Sequence, residues 1–136
     1  MIVALMMGRA GSKGLKNKNL IKIKGKRLFE YPLIASIKSN IIDKIFVTTD
    51  CNVIKKVSKK YKAEIIHRPK YLCESKALGE KVYEHGYDEI KKRLGKRVKI
   101  EFVVLLMANS PTINTNIIRK GINFLRRNKK FDSAVS

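Results

Sequence analysis

The feature that most constrains the fold is a pair of apolar runs, residues 2–7 (IVALMM) and residues 101–107 (EFVVLLM, apolar from Phe102 onward), each leading into a polar loop. A strand with one wet face alternates polar and apolar residues. Runs without alternation therefore read as strands buried on both faces, the situation in a mostly parallel sheet covered by helices. Two further strands are predicted at residues 44–49 (KIFVTT) and 64–67 (EIIH), the latter stopped by Pro69. Residues 20–25 form a short extended piece closing in a turn, and residues 132–136 read as the opening of one more strand.

Between these strands the apolar period changes to that of a helix. Residues 27–39 place Leu28, Tyr31, Leu33, Ile34 and Ile37 near helical spacing, with Pro32 suited to a first turn. Asp50 is positioned to cap the next helix, whose Val53, Ile54, Val57 and Tyr61 share a face. Residues 76–94 set Leu78, Val82, Gly86, Ile90 and Leu94 on one stripe, and residues 115–128 turn Ile118, Gly121, Ile122 and Leu125 inward. Alternating β and α segments imply an α/β fold with right-handed crossovers, expected as three αβα layers in one domain over residues 1–136. The sequence ends inside the last expected strand, so the domain is expected to be truncated at its C-terminus.

Ligands in such sheets bind beyond the carboxyl ends of the strands. If the two apolar strands are neighbours, the loops GRAGSKGLKNKN (residues 8–19) and ANSPTINTN (residues 108–116) face one crevice. In the first loop Gly8, Gly11 and Gly14 recur every third residue. Glycines let backbone N–H groups approach an anion closely and form an anion-binding nest. Arg9, Lys13, Lys16 and Lys18 add positive charge and Ser12 a hydroxyl. Arginine can clamp phosphate oxygens through two bonds, while lysine acts as a mobile point charge. The loop is not a Walker A motif, because Lys13 precedes Gly14 instead of following it. Nor is it the dinucleotide pattern GxGxxG, because position 10 is alanine. It suits a triphosphate, though taken alone the same residues would also serve as a solvated turn.

Charge points the same way with less precision. Thirty-one Lys and Arg against eleven Asp and Glu give a net charge of +20, which favours polyanionic partners. The lysines are spread over every predicted helix, with no basic tail and no aromatic run for base stacking. A nucleic-acid-binding module is thus a second class of reading, carried by charge alone. No apolar run reaches the roughly 20 residues that span a bilayer, so no membrane association is expected. Cys51 and Cys73 form no CxxC pattern and no Cys/His cluster has metal spacing, so no metal ligands are read in the chain and a reducing cytoplasm is the expected compartment.

The first loop resembles the signature of the acylneuraminate cytidylyltransferase family, which makes CMP-activated sialic and related nonulosonic acids. That signature is Arg-x-x-Ser-Lys-Gly followed by Lys-Asn, here Arg9, Ser12, Lys13, Gly14, Lys18 and Asn19. Four later landmarks follow in order. IFVTTD (residues 45–50) is similar to the family's Val-Ser/Thr-Thr-Asp, HRPKYL (residues 67–72) to Arg-Pro-x-x-Leu, and LLMANSP (residues 105–111) to Leu-Leu-Gln-Pro-Thr-Ser-Pro. Residues 132–136 (DSAVS) are similar to Asp-Ser-Val-Val-Ser.

The resemblance implies the nucleotide-diphospho-sugar transferase (Rossmann-like) fold and transfer of CMP from CTP to a sugar acid. By position, Arg9, Lys13 and Lys18 would carry catalysis through the phosphates. Gly8, Ala10, Gly11, Ser12, Gly14, Asn19, Arg68, Asn109 and Ser110 would bind the substrates, with Arg68 by the base and ribose and Asn109 and Ser110 by the acceptor. Mg2+ is implied as cofactor, its ligands expected beyond residue 136, and a homodimer is implied for the full-length protein. Two departures stand out. The family's Gln-Pro-Thr is Met107-Ala108-Asn109 here, and its Ser-Ser after Arg-Pro is Leu78-Gly79. Another sugar nucleotidyltransferase on the same fold is the alternative within this class.

Overall fold

The computed structural model describes residues 1–11, 15–74 and 76–136. In chain order it contains β1 (Ile2–Met7), β2 (Lys22–Ile23), β3 (Lys26–Arg27), α1 (Glu30–Lys38), β4 (Lys44–Thr49), α2 (Asn52–Lys60), β5 (Glu64–His67), α3 (Gly79–Leu94), β6 (Phe102–Met107) and α4 (Thr115–Arg127). The main sheet has four strands in the order β5-β4-β1-β6, all paired in parallel. The expected α/β architecture is therefore present, and the two apolar strands are neighbours, with Met7 opposite Met107 at their carboxyl ends. β2 and β3 form a separate hairpin whose two linking residues, Lys24 (φ 48°) and Gly25 (φ 81°), take the positive φ of a tight turn matched to strand twist.

The two faces of the sheet are covered unequally. On one side Ala4, Met6, Ile45 and Val47 pack with Phe29 and Leu33 of the α1 region and Ile54 of α2. Farther along that side, Ile2 meets Ala35 together with Ile118 and Ile122 of α4. On the other side Val3, Leu5, Phe46 and Ile66 meet Ile90 of α3. Among the described residues α3 is the one helix on that second face, and it lies over β1, β4 and β5.

This asymmetry corrects one expectation. β1 is buried on both faces, but β6 is not: Leu105 is 51% and Met107 50% exposed. β6 is an edge strand of the described sheet, and its α3-side residues reach past that helix's cover. Two helix starts also move. α1 starts at Glu30, and α3 starts at Gly79, since Leu78 is extended (ψ 136°) and provides no side-chain cap. Leu78, expected on the apolar stripe of α3, is accordingly 64% exposed. Residues 132–136 are irregular and exposed instead of forming a strand. They pair with no strand among the described residues, and an unpaired extended segment leaves its backbone groups to water.

Candidate functional site at the carboxyl ends of the strands

The site is built on the exit of β1. Gly8 continues the ladder for one step, donating its N–H to Thr48 O at 3.2 Å, while Ala108 donates to Met7 O at 3.1 Å. The backbones converge so closely that a Cβ on Gly8 would sit 3.0 Å from the Ala108 Cβ. Glycine here serves close approach, whereas Gly11 (φ 66°) serves the turn itself.

Beyond Gly8 the chain is held by two side chains from different elements. Asn19 donates its side-chain amide to Arg9 O at 3.2 Å. Asp50 accepts the Ala10 N–H on Oδ1 at 2.8 Å. Asp50 is thus not the cap of α2 that its position before the helix suggests. The N-cap is Cys51, without a side-chain cap bond, and Thr49 Oγ1 takes the Cys51 N–H at 3.1 Å. A strand-end threonine satisfies the local donor, which leaves the carboxylate for the loop.

A cleft of about 300 Å³ opens here, lined among others by Gly8, Arg9, Lys18, Asn19, Arg68 and Asn109. The structure therefore brings together six of the residues singled out from sequence. Ala10 and Gly11 follow on the loop without lining the cleft. Ser110 sits in the turn after β6, donating its N–H to Met107 O at 3.1 Å, and is likewise outside the lining. Ser12, Lys13 and Gly14 lie outside the described residues. The lining also includes Glu74, which the sequence does not point to, and Gly79, which the resemblance marks only as a departure from the family's Ser-Ser. Gly79 opens α3, and its neighbour Met7 stands 3.6 Å from where a Cβ would be. The position next to Leu78, where the resembling family carries a second serine, thus faces the cleft without a side chain.

Arg68 is the most unusual group of the site. It follows β5, is only 3% exposed, and leaves Nε and Nη2 buried without a hydrogen-bond partner among the described residues. Buried charge is costly unless it is paired. Burial lowers the pKa of Arg68, and the nearby carboxylate of Asp50 acts in the opposite direction. The Tyr83 hydroxyl is pushed up by burial and held down by Arg68, while it donates to Leu106 O at 3.4 Å. The Cys73 thiol is pushed up by burial first and by Asp50 second, and reaches Pro69 O at 3.3 Å. A buried guanidinium with Nε and Nη2 open among the described residues, lining the same cleft as Arg9 and Lys18, is an arrangement that an anionic or oxygen-rich ligand would complete. Among the described residues no three His, Cys, Asp or Glu side chains come together to hold a metal ion, and no helix is long and apolar enough to cross a membrane.

Several known proteins resemble this chain. A protein of Escherichia coli O18:K1:H7 named N-acylneuraminate cytidylyltransferase is 30% identical over 135 residues, covering 99% of this chain and 30% of its own length. The pseudaminic acid cytidylyltransferase of Campylobacter jejuni is 27% identical over 131 residues, covering 95% of this chain and 55% of its own length. Among solved structures, a CMP:2-keto-3-deoxy-manno-octonic acid synthetase complexed with CTP superposes with a TM-score of 0.72 at 16% identity, over 94% of this chain and 48% of the other. The chain thus spans between about a third and a half of these relatives. Residues 3–135 match the family described as Cytidylyltransferase, and the chain belongs to that family.

Proposed function

We propose that the chain is the nucleotide-binding part of an enzyme that transfers CMP from CTP to a sialic- or nonulosonic-type sugar acid, releasing pyrophosphate. The observation that carries this reading is the buried guanidinium of Arg68, with open Nε and Nη2, on the same cleft as Arg9, Lys18 and Asn19. The family match and the names of the relatives supply the nucleotide and the class of acceptor.

In this reading Arg9, Ser12 and Lys13 hold the phosphates. The Gly8 and Ala10 N–H groups are engaged by Thr48 O and Asp50 Oδ1, so these two residues shape the loop's backbone, and Gly11 and Gly14 are the proposed nest donors. Lys18 and Asn19 close the site near the α-phosphate and the nucleoside, and Arg68 lies by the base and ribose. Asn109 and Ser110 sit on the acceptor side. The sugar hydroxyl attacks the α-phosphorus in line as the bond to the β-phosphate oxygen breaks. Charge spreads over the phosphate oxygens, so the cationic wall acts by positioning and by electrostatic stabilisation. Mg2+ is the proposed cation and would share that charge when bound. The described residues do not by themselves form a cage for it, so no step is assigned through it. The enzyme is proposed to be cytoplasmic and, at full length, a homodimer.

Calorimetric titration with CTP, UTP and GTP tests the reading. CTP is expected to bind most tightly, and Arg9→Ala or Lys13→Ala to weaken it about tenfold, the scale of one lost charge-assisted contact. Binding of UTP or GTP in preference to CTP would move the chain to another sugar nucleotidyltransferase. Tight, steeply salt-dependent binding to generic RNA instead would favour the nucleic-acid module. Formation of CMP-sugar by the full-length gene product, from a panel of nonulosonic acids with CTP and Mg2+, identifies the acceptor.

A further inference from the structure

Asp50 links the loop after β1, through the Ala10 N–H, to Arg68, on which its charge acts. The β1–β4 pairing ends with Met7 opposite Thr48, and the Gly8 N–H to Thr48 O bond is its last backbone rung. Two residues farther along each strand, the Asp50 carboxylate takes the Ala10 N–H at 2.8 Å. The ladder is thereby extended by one rung in which a side-chain carboxylate replaces the backbone carbonyl. Asn19 pins the same stretch from the opposite side through Arg9 O. The charge of the carboxylate also acts on the Arg68 guanidinium and the Cys73 thiol.

The arrangement is informative because Asp50 and Arg68 attract without an ion-pair contact among those described. A carboxylate in direct contact would occupy the guanidinium donors. Here Oδ1 is used by the loop, and Arg68 keeps Nε and Nη2 open. The charge of Asp50 offsets part of the desolvation of Arg68 and leaves that residue's donors to the cleft.

We propose that Asp50 is a positioning residue for nucleotide binding, fixing the loop at Ala10 and seating Arg68 at the cleft wall so that the two sides of the site are set together. This rests on the nucleotide-binding reading above. Neither Asp50 Oδ1 nor its backbone needs to touch the ligand, so its effect passes through Ala10 and Arg68.

Two variants and two readouts test the proposal. Asp50→Ala removes the acceptor, whereas Asp50→Asn keeps an acceptor oxygen and removes the charge. Amide hydrogen exchange at Ala10, measured without nucleotide, reads the clasp. Calorimetry with CTP reads its consequence. In Asp50→Ala, Ala10 exchange is expected to quicken about tenfold or more and CTP affinity to fall about tenfold. In Asp50→Asn, Ala10 protection is expected to stay within about threefold of the parent chain, with a CTP affinity between the two.

Ala10 exchange and CTP affinity in Asp50→Ala both within about twofold of the parent would overturn the proposal. So would equal losses in both variants that track a common fall in melting temperature, since that is a merely structural effect. If the parent chain itself fails to bind CTP, the nucleotide reading fails, while Ala10 exchange still decides the clasp. If Asp50→Ala does not fold, the proposal stands or falls on Asp50→Asn, which must then keep Ala10 protected and weaken CTP.

Discussion

Gly8 and Ala108 stand face to face at the carboxyl ends of two neighbouring strands, β1 and β6. A Cβ on Gly8 would lie 3.0 Å from the Ala108 Cβ and 3.2 Å from Ile54 Cδ1. The Ala108 Cβ is fixed to backbone and cannot swing away. Gly8→Ala is therefore expected to push β1 off β6, at the roughly 1–3 kcal/mol typical of an overpacked core. CTP affinity should fall with stability, because the loop leaves the sheet at this residue. Adding Ala108→Gly should recover most of both losses. Thermal melts and titrations of the two single variants and the double variant check this; a Gly8→Ala chain as stable as the parent would refute it.

Gly86 makes a comparable approach in the middle of α3. A Cβ there would stand 2.8 Å from Leu5 Cδ2 and 3.1 Å from Cδ1, and Leu5 is fully buried in β1. Alanine would add about 1 kcal/mol of helix propensity, against an overpacking cost of about 1–3 kcal/mol. The packing cost should prevail, since Leu5 can turn only into a filled core. Gly86→Ala is expected to lower stability by about 1 kcal/mol in chemical denaturation. In a Leu5→Val background the same change should become neutral or stabilising. An equal loss in both backgrounds would show that the contact is not responsible.

The bounds of β1, β4 and β5 agree with the sequence reading because the apolar or β-branched runs of β1 and β4 stop at Gly8 and Asp50, and β5 stops ahead of Pro69. Local pattern could not report what lies above a strand. Leu105 and Met107 belong to a run as apolar as that of β1, yet their exposure depends on where α3 lies, and α3 covers the β1 and β4 side. Asp50 shows the same limit for polar groups. Before a helix, an aspartate reads as a cap, but the donor it satisfies is Ala10, forty residues earlier. Glu74 enters the cleft without a motif of its own, and Gly79 is marked only as a departure from the family's Ser-Ser, while its place depends on where the extended Leu78 hands over to α3. Arg68 was legible only through the resemblance; its burial and open donors are properties of the fold.

The fork between Arg126 and Glu101 gives a pH signature. Arg126 Nε and Nη2 each donate to a different oxygen of Glu101 at 2.8 Å. The Glu101 carboxyl is held below its ordinary value, first by these hydrogen bonds and then by the charges of Arg126, the amino terminus and Lys129. A depressed carboxyl pKa adds stability that is complete above the unfolded value, about 4.3, and is lost as pH falls through the lower folded value. Glu101→Gln should therefore melt below the parent chain at pH 7, and the gap should close below about pH 4. A gap that persists to pH 2 would mean that the pair is not its source. Both side chains are well exposed, so salt should shrink the gap as well.

Arg68 offers the sharpest separation of binding from folding. Its guanidinium is buried with Nε and Nη2 unpartnered among the described residues, and the charge of Asp50 compensates it only in part. A buried charge without full compensation is a burden on stability that an apolar side chain of similar length removes. Arg68→Met is therefore expected to hold or raise the melting temperature, with a gain on the order of 1 kcal/mol. The gain is limited because Asp50 loses its attractive partner. The same change removes the donors that the cleft presents to a nucleotide, so CTP affinity should drop at least about tenfold. A thermal melt and a CTP titration on the same preparation decide the matter. A chain that melts earlier and still binds CTP like the parent would make Arg68 a structural residue. A chain that melts no earlier and has lost CTP would assign the unsatisfied guanidinium to the ligand, at a cost the fold bears when the cleft is empty.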